Sequence, residues 1–266
     1  MTAALRYELR MQLRRPDLWS VTAVTVVLLW LLTARSLPIF LSEDPRTAMI
    51  RAIIICNVPL PIGYAFLLAD RLVRDERLGV AALLDATPSS RPGRLLGKYL
   101  GCAAATALPV ATIYFGFSAV YTIRNGAPQA LSWALAMFAT ITVPALLFVG
   151  AVSLCGPLVM PTAVFRVLFV GYWMWSSYLV PPKLVPTLTQ TVIYPMGGYP
   201  IQVFFGYRGG HASGGSDWAG PVPGALFNAL RPAPTVATAW LSIAVIVGLA
   251  ALTLSAAHLV CERRTR

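Results

Sequence analysis

Six stretches of this chain stay apolar for about 20 residues at a time, the length a helix needs to cross the roughly 30 Å hydrocarbon core of a bilayer. They cover residues 18–40, 49–69, 100–122, 130–154, 159–180 and 236–260. With 57% hydrophobic and 12% charged residues and a mean hydropathy of +0.69, a chain of 266 residues holds more apolar surface than a soluble core accommodates. The fifth run carries Arg166 within it and Pro161 near its start, and an alternative start lies after Arg166. In hydrocarbon every backbone polar group must be satisfied internally. The expected fold class is therefore an all-α membrane protein of six transmembrane helices.

The cations orient it. With the N-terminus inside, Arg6, Arg10, Arg14, Arg15, Arg71, Arg74, Arg77, Arg91, Arg94, Lys98, Arg166, Arg263, Arg264 and Arg266 fall on the cytoplasmic side, fourteen of the 21 Lys and Arg residues. The other side holds seven, so the positive-inside rule places both termini in the cytoplasm. Cations beside helix ends also meet anionic headgroups, which absorbs much of the +11 net charge. Nucleic-acid binding explains that charge less well, because the chain has no soluble basic domain to perform it.

Ahead of the first run, Leu5, Leu9 and Leu13 form one helical stripe and Arg6, Arg10 and Arg14 an adjacent one, the pattern of an interfacial amphipathic helix over residues 1–17. Pro16 and Asp17 break it, and Trp19 marks the headgroup level. A cleaved signal peptide is the competing reading, with residues 21–32 as its apolar region. The long leading segment with Glu8 and Asp17, and the poor site at Ala34-Arg35-Ser36, oppose it.

Between the second and third runs lies a polar insert, residues 70–99. Asp70, Arg71, Arg74, Asp75, Glu76 and Arg77 crowd one end and Arg91, Arg94 and Lys98 the other. A short apolar helical pattern over residues 78–86 sits between them, and Thr87-Pro88 ends it because a residue before proline leaves the helical region. The series D-R-x-x-R-D, G-x-x-x-L-L-x-A-T-P, S-R and L-x-G-K-Y resembles the cytoplasmic loop between the second and third spans of ABC-2 type ATP-binding-cassette permeases. The likeness covers about 30 residues by motif; elsewhere it rests on the number and spacing of spans.

The resemblance implies a single permease domain in the plasma (inner) membrane, with an elbow helix before the first span. It further implies a second identical or related permease chain and two separate ATPase subunits that bind ATP and magnesium. The chain itself would hold no cofactor and catalyse no reaction. The 78–86 helix would dock on the ATPase through Leu78, Leu83 and Leu84, as an amphipathic helix fills a hydrophobic groove. Arg74, Asp75, Glu76 and Arg77 would set register and partner choice. One departure is visible: where the family often has Glu in G-x-x-E-L-L, this chain has Ala82, so a carboxylate role drops out or moves to Asp85. Export of a drug, antibiotic, peptide or lipid is the implied activity. An ion-coupled secondary carrier, or a non-transporting anchor or immunity subunit for an ATPase, are the rival readings.

Residues 186–235 carry nine Gly and seven Pro in 50 positions, which rules out a regular span. Tyr194, Tyr199, Phe204, Phe205, Tyr207, Trp218 and Phe227 make the region too aromatic for a solvated linker. Short helices at the outer interface are expected, with the run from Gly206 to Gly220 as an exposed tip; ABC-2 permeases similarly place short re-entrant helices before their last span.

Other motifs carry less. Gly93–Tyr99 reads G-R-L-L-G-K-Y, one residue short of a phosphate-binding loop and with Tyr99 in place of the magnesium-binding hydroxyl. Cys56, Cys102, Cys155 and Cys261 lie within spans or at their cytoplasmic ends and read as small apolar residues. His258 with Cys261 supplies two metal ligands and lacks a third. At membrane depth, Asn57, Thr140, Trp173, Ser177 and Tyr178 are candidates to line a translocation path. Each has a plainer alternative: Asn57 satisfies backbone freed by Pro59 and Pro61, Thr140, Ser177 and Tyr178 pack helices, and Trp173 belongs to an aromatic belt.

Overall fold

A computed structural model describes residues 2–34, 41, 43–72, 91–177, 187–208, 218–222 and 227–265. Among them the chain is all-helical, with one isolated β-bridge pairing Gln190 and Ala219. Four helical stretches are long and apolar enough to cross a membrane: Pro45–Leu68, Pro92–Asn125, Gln129–Leu158 and Val236–Arg263. They match the second, third, fourth and sixth apolar runs. The first run is helical over Pro16–Thr33 and the fifth over Thr162–Ser177.

Helix α1 (Thr2–Leu13) ends ahead of α2 (Pro16–Thr33), whose first turn holds proline, where a missing N–H costs nothing. Helix α3 (Pro45–Asn57) is capped by Asp44, which accepts a hydrogen bond from the Thr47 amide at 3.1 Å. The hydrogen-bond ladder is interrupted at Val58 and Pro59, which keep helical dihedrals, before α4 (Leu60–Leu68), because Pro59 and Pro61 lack backbone donors.

Helix α5 (Arg91–Asn125) starts earlier than residue 100, so Gly93–Tyr99 is helical and forms the first turns of a span. Helix α6 (Gln129–Met137) runs through a π-helical turn, Phe138–Thr142, into α7 (Val143–Cys155). A 3₁₀ turn at Gly156–Leu158 leads to α8 (Thr162–Ser177), which begins before Arg166. Beyond it come the short α9 (Gly198–Val203), a 3₁₀ turn at Asn228–Leu230, and α10 (Val236–Thr265).

Helix α1 packs on α5; α7 packs on α10, α4 and α5; and α4 is flanked by α2 and α8. One core gathers Met49, Ile50, Ile53, Tyr114, Met137, Ile141 and Trp173, and a second, nearer the polar insert, gathers Tyr99, Cys102, Ala151, Leu154 and Ala257. Outward faces stay apolar, as with Val24 and Leu31 on α2, Val167 and Leu168 on α8 and Leu252 on α10. Faces of this kind suit lipid rather than water.

The described parts of 187–235 form a cap, with α9 and a 3₁₀ turn as its short helical pieces. Gly197 takes φ +73° ahead of α9, and a Cβ there would stand 3.3 Å from Ile141 on the π-helical turn. The Arg231 guanidinium donates to the carbonyls of Thr187 and Thr189 (3.3 and 3.2 Å), and Ser242 on α10 donates to Val192 O (2.8 Å). Burial pushes the Tyr199 hydroxyl up to about 12 while it donates to Pro232 O (2.7 Å). Trp218 and Ala219 are buried in this cap, so the far end of the expected exposed tip is packed. Residues 209–217 lie outside the described residues.

Candidate functional site

Among the described residues, two polar constellations lie where helices of this apolar chain meet. The first is a charged node at the root of the 70–99 insert. Glu8 and Gln12 lie one helical turn apart on α1, and their face packs against α5. Gly101 permits the approach: a Cβ there would meet Glu8 Cβ at 2.8 Å and Leu5 O at 3.0 Å.

Gln12 Nε2 donates to Glu8 Oε1 (2.8 Å), Arg71 Nη2 donates to Gln12 Oε1, and Arg71 Nη1 stands 3.9 Å from Glu8 Oε1. Lys98 Nζ donates to Arg71 O at 3.1 Å. The residue where the chain enters the insert and a residue of the helix by which it returns are thus held together and onto α1. Glu8 and Arg71 are each only 5% exposed, so the pair is desolvated.

Next to the node, Arg166 on α8 forms an ion pair with Asp70, donates to Phe66 O (3.2 Å) and stands 5.5 Å from the Phe66 ring centroid. The α4 end is therefore fastened on one side to α1 and α5 and on the other to α8.

The second constellation is uncharged and joins two helix irregularities. Asn57 Nδ2, at the end of α3, donates to Thr142 Oγ1 on the π-helical turn at 3.1 Å. Trp173 Nε1 on α8 donates to Val58 O at 3.0 Å, satisfying a carbonyl at the break. Phe169 stacks on Trp173 with ring centroids 6.0 Å apart, which fixes the indole. A π-turn beside a proline-broken helix is a place where backbone hydrogen bonds have alternative partners.

Of the candidate path residues, Asn57 and Trp173 meet at this junction, both buried and both bonded within it. Thr140 is on the same π-turn but donates to Ala136 O of its own helix (2.8 Å). Ser177 ends α8, and Tyr178 lies outside the described residues. The docking residues Arg74, Asp75, Glu76, Arg77, Leu78, Leu83, Leu84 and Asp85 all lie outside the described residues. His258 sits 3.5 Å from Glu262, one turn along α10, and the four cysteines are unbridged.

Sequence reasoning does not find Glu8, Gln12 and Arg71 as a buried set. The available signal is Glu8 and Gln12 at i,i+4 in a helix whose other charges are arginines.

Among the described residues, four helices are long and apolar enough to cross a membrane, and polar joints are buried between them. No protein-family model matches the sequence, and a search of curated proteins finds no match either.

Proposed function

We propose that this chain is the membrane-spanning permease subunit of an ABC transporter, exporting a hydrophobic or amphipathic substrate with energy from ATP hydrolysis in separate ATPase subunits. The observation that carries this reading is the node binding Arg71 to Glu8 and Gln12, with Lys98 closed onto Arg71 O. A loop whose two roots are clamped together passes a pull to α4, α5 and α1 as one unit. A loop hung on loose roots would dissipate it.

In the proposed cycle two ATPase subunits grip the insert of this chain and of a second permease chain. ATP binding draws the inserts together, and α4 swings relative to α3 at the Val58–Pro59 break. Asn57, Thr142 and Trp173 hold that break in one arrangement and exchange partners in the other. Such movement of helices about a hinge is a common form of alternating access. The substrate range of the resembled family and the apolar spans favour an amphipathic cargo.

The secondary-carrier reading gains less support. Coupling to an ion usually places an ionisable group at mid-membrane, and the junction is built from Asn57, Thr142 and Trp173.

Co-expression with a candidate ATPase tests the proposal. The chain is expected to co-purify with the ATPase and to stimulate hydrolysis when an amphipathic compound is added in lipid. Leu83→Asp with Leu84→Asp is expected to abolish co-purification while membrane insertion persists. Retained binding in that variant sinks the docking assignment. Binding without substrate-stimulated hydrolysis would favour the anchor reading.

A further inference from the structure

A cavity of about 190 Å³ lies beside the node, where the start of α2, the end of α4 and the first turns of α8 converge. Arg15, Asp17, Asp70 and Arg166 contribute its charged wall, and Leu18 and Phe66 its apolar one. Pockets for drug-sized molecules measure roughly 300–1,000 Å³, so this space suits a small polar group rather than a bulky substrate.

The charge balance narrows the group further. Arg71, also on the cavity wall, is committed to Glu8 and Gln12, and Asp70 is committed to Arg166. What remains is the half-buried Arg15 guanidinium and, on the exposed side, the Asp17 carboxylate. One cation and one carboxylate left over in a single cleft complement a zwitterion better than a simple anion.

The surroundings fit a lipid. Trp19, four residues past Arg15, is exposed and donates its indole N–H to Leu13 O (2.8 Å), as an interfacial tryptophan does. Phe66, 39% exposed, continues the cavity's apolar wall onto the outer surface of α4, between α2 and α8.

We propose that this cavity binds the headgroup of an amine-bearing zwitterionic phospholipid, with the phosphate on Arg15, the ammonium on Asp17 and an acyl chain along Phe66. Such a lipid would brace α2 against α4 next to the clamped root of the insert. The proposal rests on the membrane reading of the helices and not on an ATPase partner, so either can fail alone.

Native mass spectrometry of the full chain in detergent tests it, with dioleoylphosphatidylethanolamine, dioleoylphosphatidylglycerol and inorganic phosphate titrated separately. The ethanolamine lipid is expected to bind about fivefold more tightly than the glycerol lipid, the scale of one part-exposed ionic contact. Arg15→Gln is expected to weaken both lipids, and Asp17→Asn to erase the preference between them. Because Asp17 is exposed, that variant carries the test even if Arg15→Gln folds poorly. Glycerol lipid bound as tightly as ethanolamine lipid, or lipid binding unchanged by Arg15→Gln, overturns the assignment. Inorganic phosphate that displaces the lipid at equal concentration would make the cavity a soluble-anion site and overturn it as well.

Discussion

The node and the junction both bury polar groups in an apolar bundle, yet they are made from different materials. Glu8, Gln12 and Arg71 form a charged knot where α1, α4 and α5 meet. Asn57, Thr142 and Trp173 join the α3–α4 break to the π-turn and to α8 through neutral hydrogen bonds. A desolvated ion pair is hard to pull apart because each half alone is costly to bury. A neutral hydrogen bond contributes a net of about 1 kcal/mol and exchanges readily for another partner. The first material suits a part that transmits force, and the second a part that bends.

The largest expected effect therefore lies at the node. Glu8→Ala removes the buried carboxylate that faces the Arg71 guanidinium and is expected to destabilise the chain by about 3–5 kcal/mol. Thermal unfolding in detergent, read against Arg10→Ala on an exposed face of the same helix, measures it. Equal losses for the two variants would mean that the node is no stiffer than the surface, and the contrast with the junction would collapse.

Trp173→Phe comes next. It keeps most of the aromatic packing on Phe169 but removes the donor to Val58 O, leaving a buried carbonyl at the break at a cost of about 1–3 kcal/mol. A smaller loss than for Glu8→Ala, together with faster amide exchange confined to the residues around Val58, would sharpen the division between stiff root and soft hinge. A loss as large as that for Glu8→Ala would make the junction a second rigid joint.

The same contrast explains what a reader of the sequence sees. Apolar runs are visible because a helix in lipid must satisfy its own backbone over a fixed thickness. The four long helices accordingly fall on four of the runs. Pro59 and Pro61 announce the break beside Asn57, since proline removes donors wherever it stands. The π-turn has a quieter marker of the same kind: Pro144 lacks the N–H that would reach Thr140 O, while Phe138, Thr140 and Thr142 read as ordinary helix, and packing against Asn57 and Gly197 completes the turn. Glu8 is hidden for a related reason. On α1 it sits among arginines, and its burial depends on how closely α5 approaches at Gly101, a tertiary fact that helical periodicity does not carry. Trp173 reads equally well as belt or path, and its Nε1–H···O contact with Val58 decides for a role in the break.

The smallest effect is the most direct probe of the junction. Asn57 and Thr142 touch through one hydrogen bond of 3.1 Å, and neither carries charge. A double-mutant cycle of Asn57→Ala and Thr142→Val isolates that contact, and side-chain hydrogen bonds between membrane helices measured this way average about 0.6 kcal/mol. A coupling near that value is expected, with the sign of a stabilising contact. Because the bond is weak, each state of a hinge would lose little by breaking it, and in the proposed transport cycle the rate should respond more than stability. A coupling above about 2 kcal/mol would exceed what neutral pairs between membrane helices reach. It would place the junction in the same class as the charged node, and bending at Val58–Pro59 would then need a different seat.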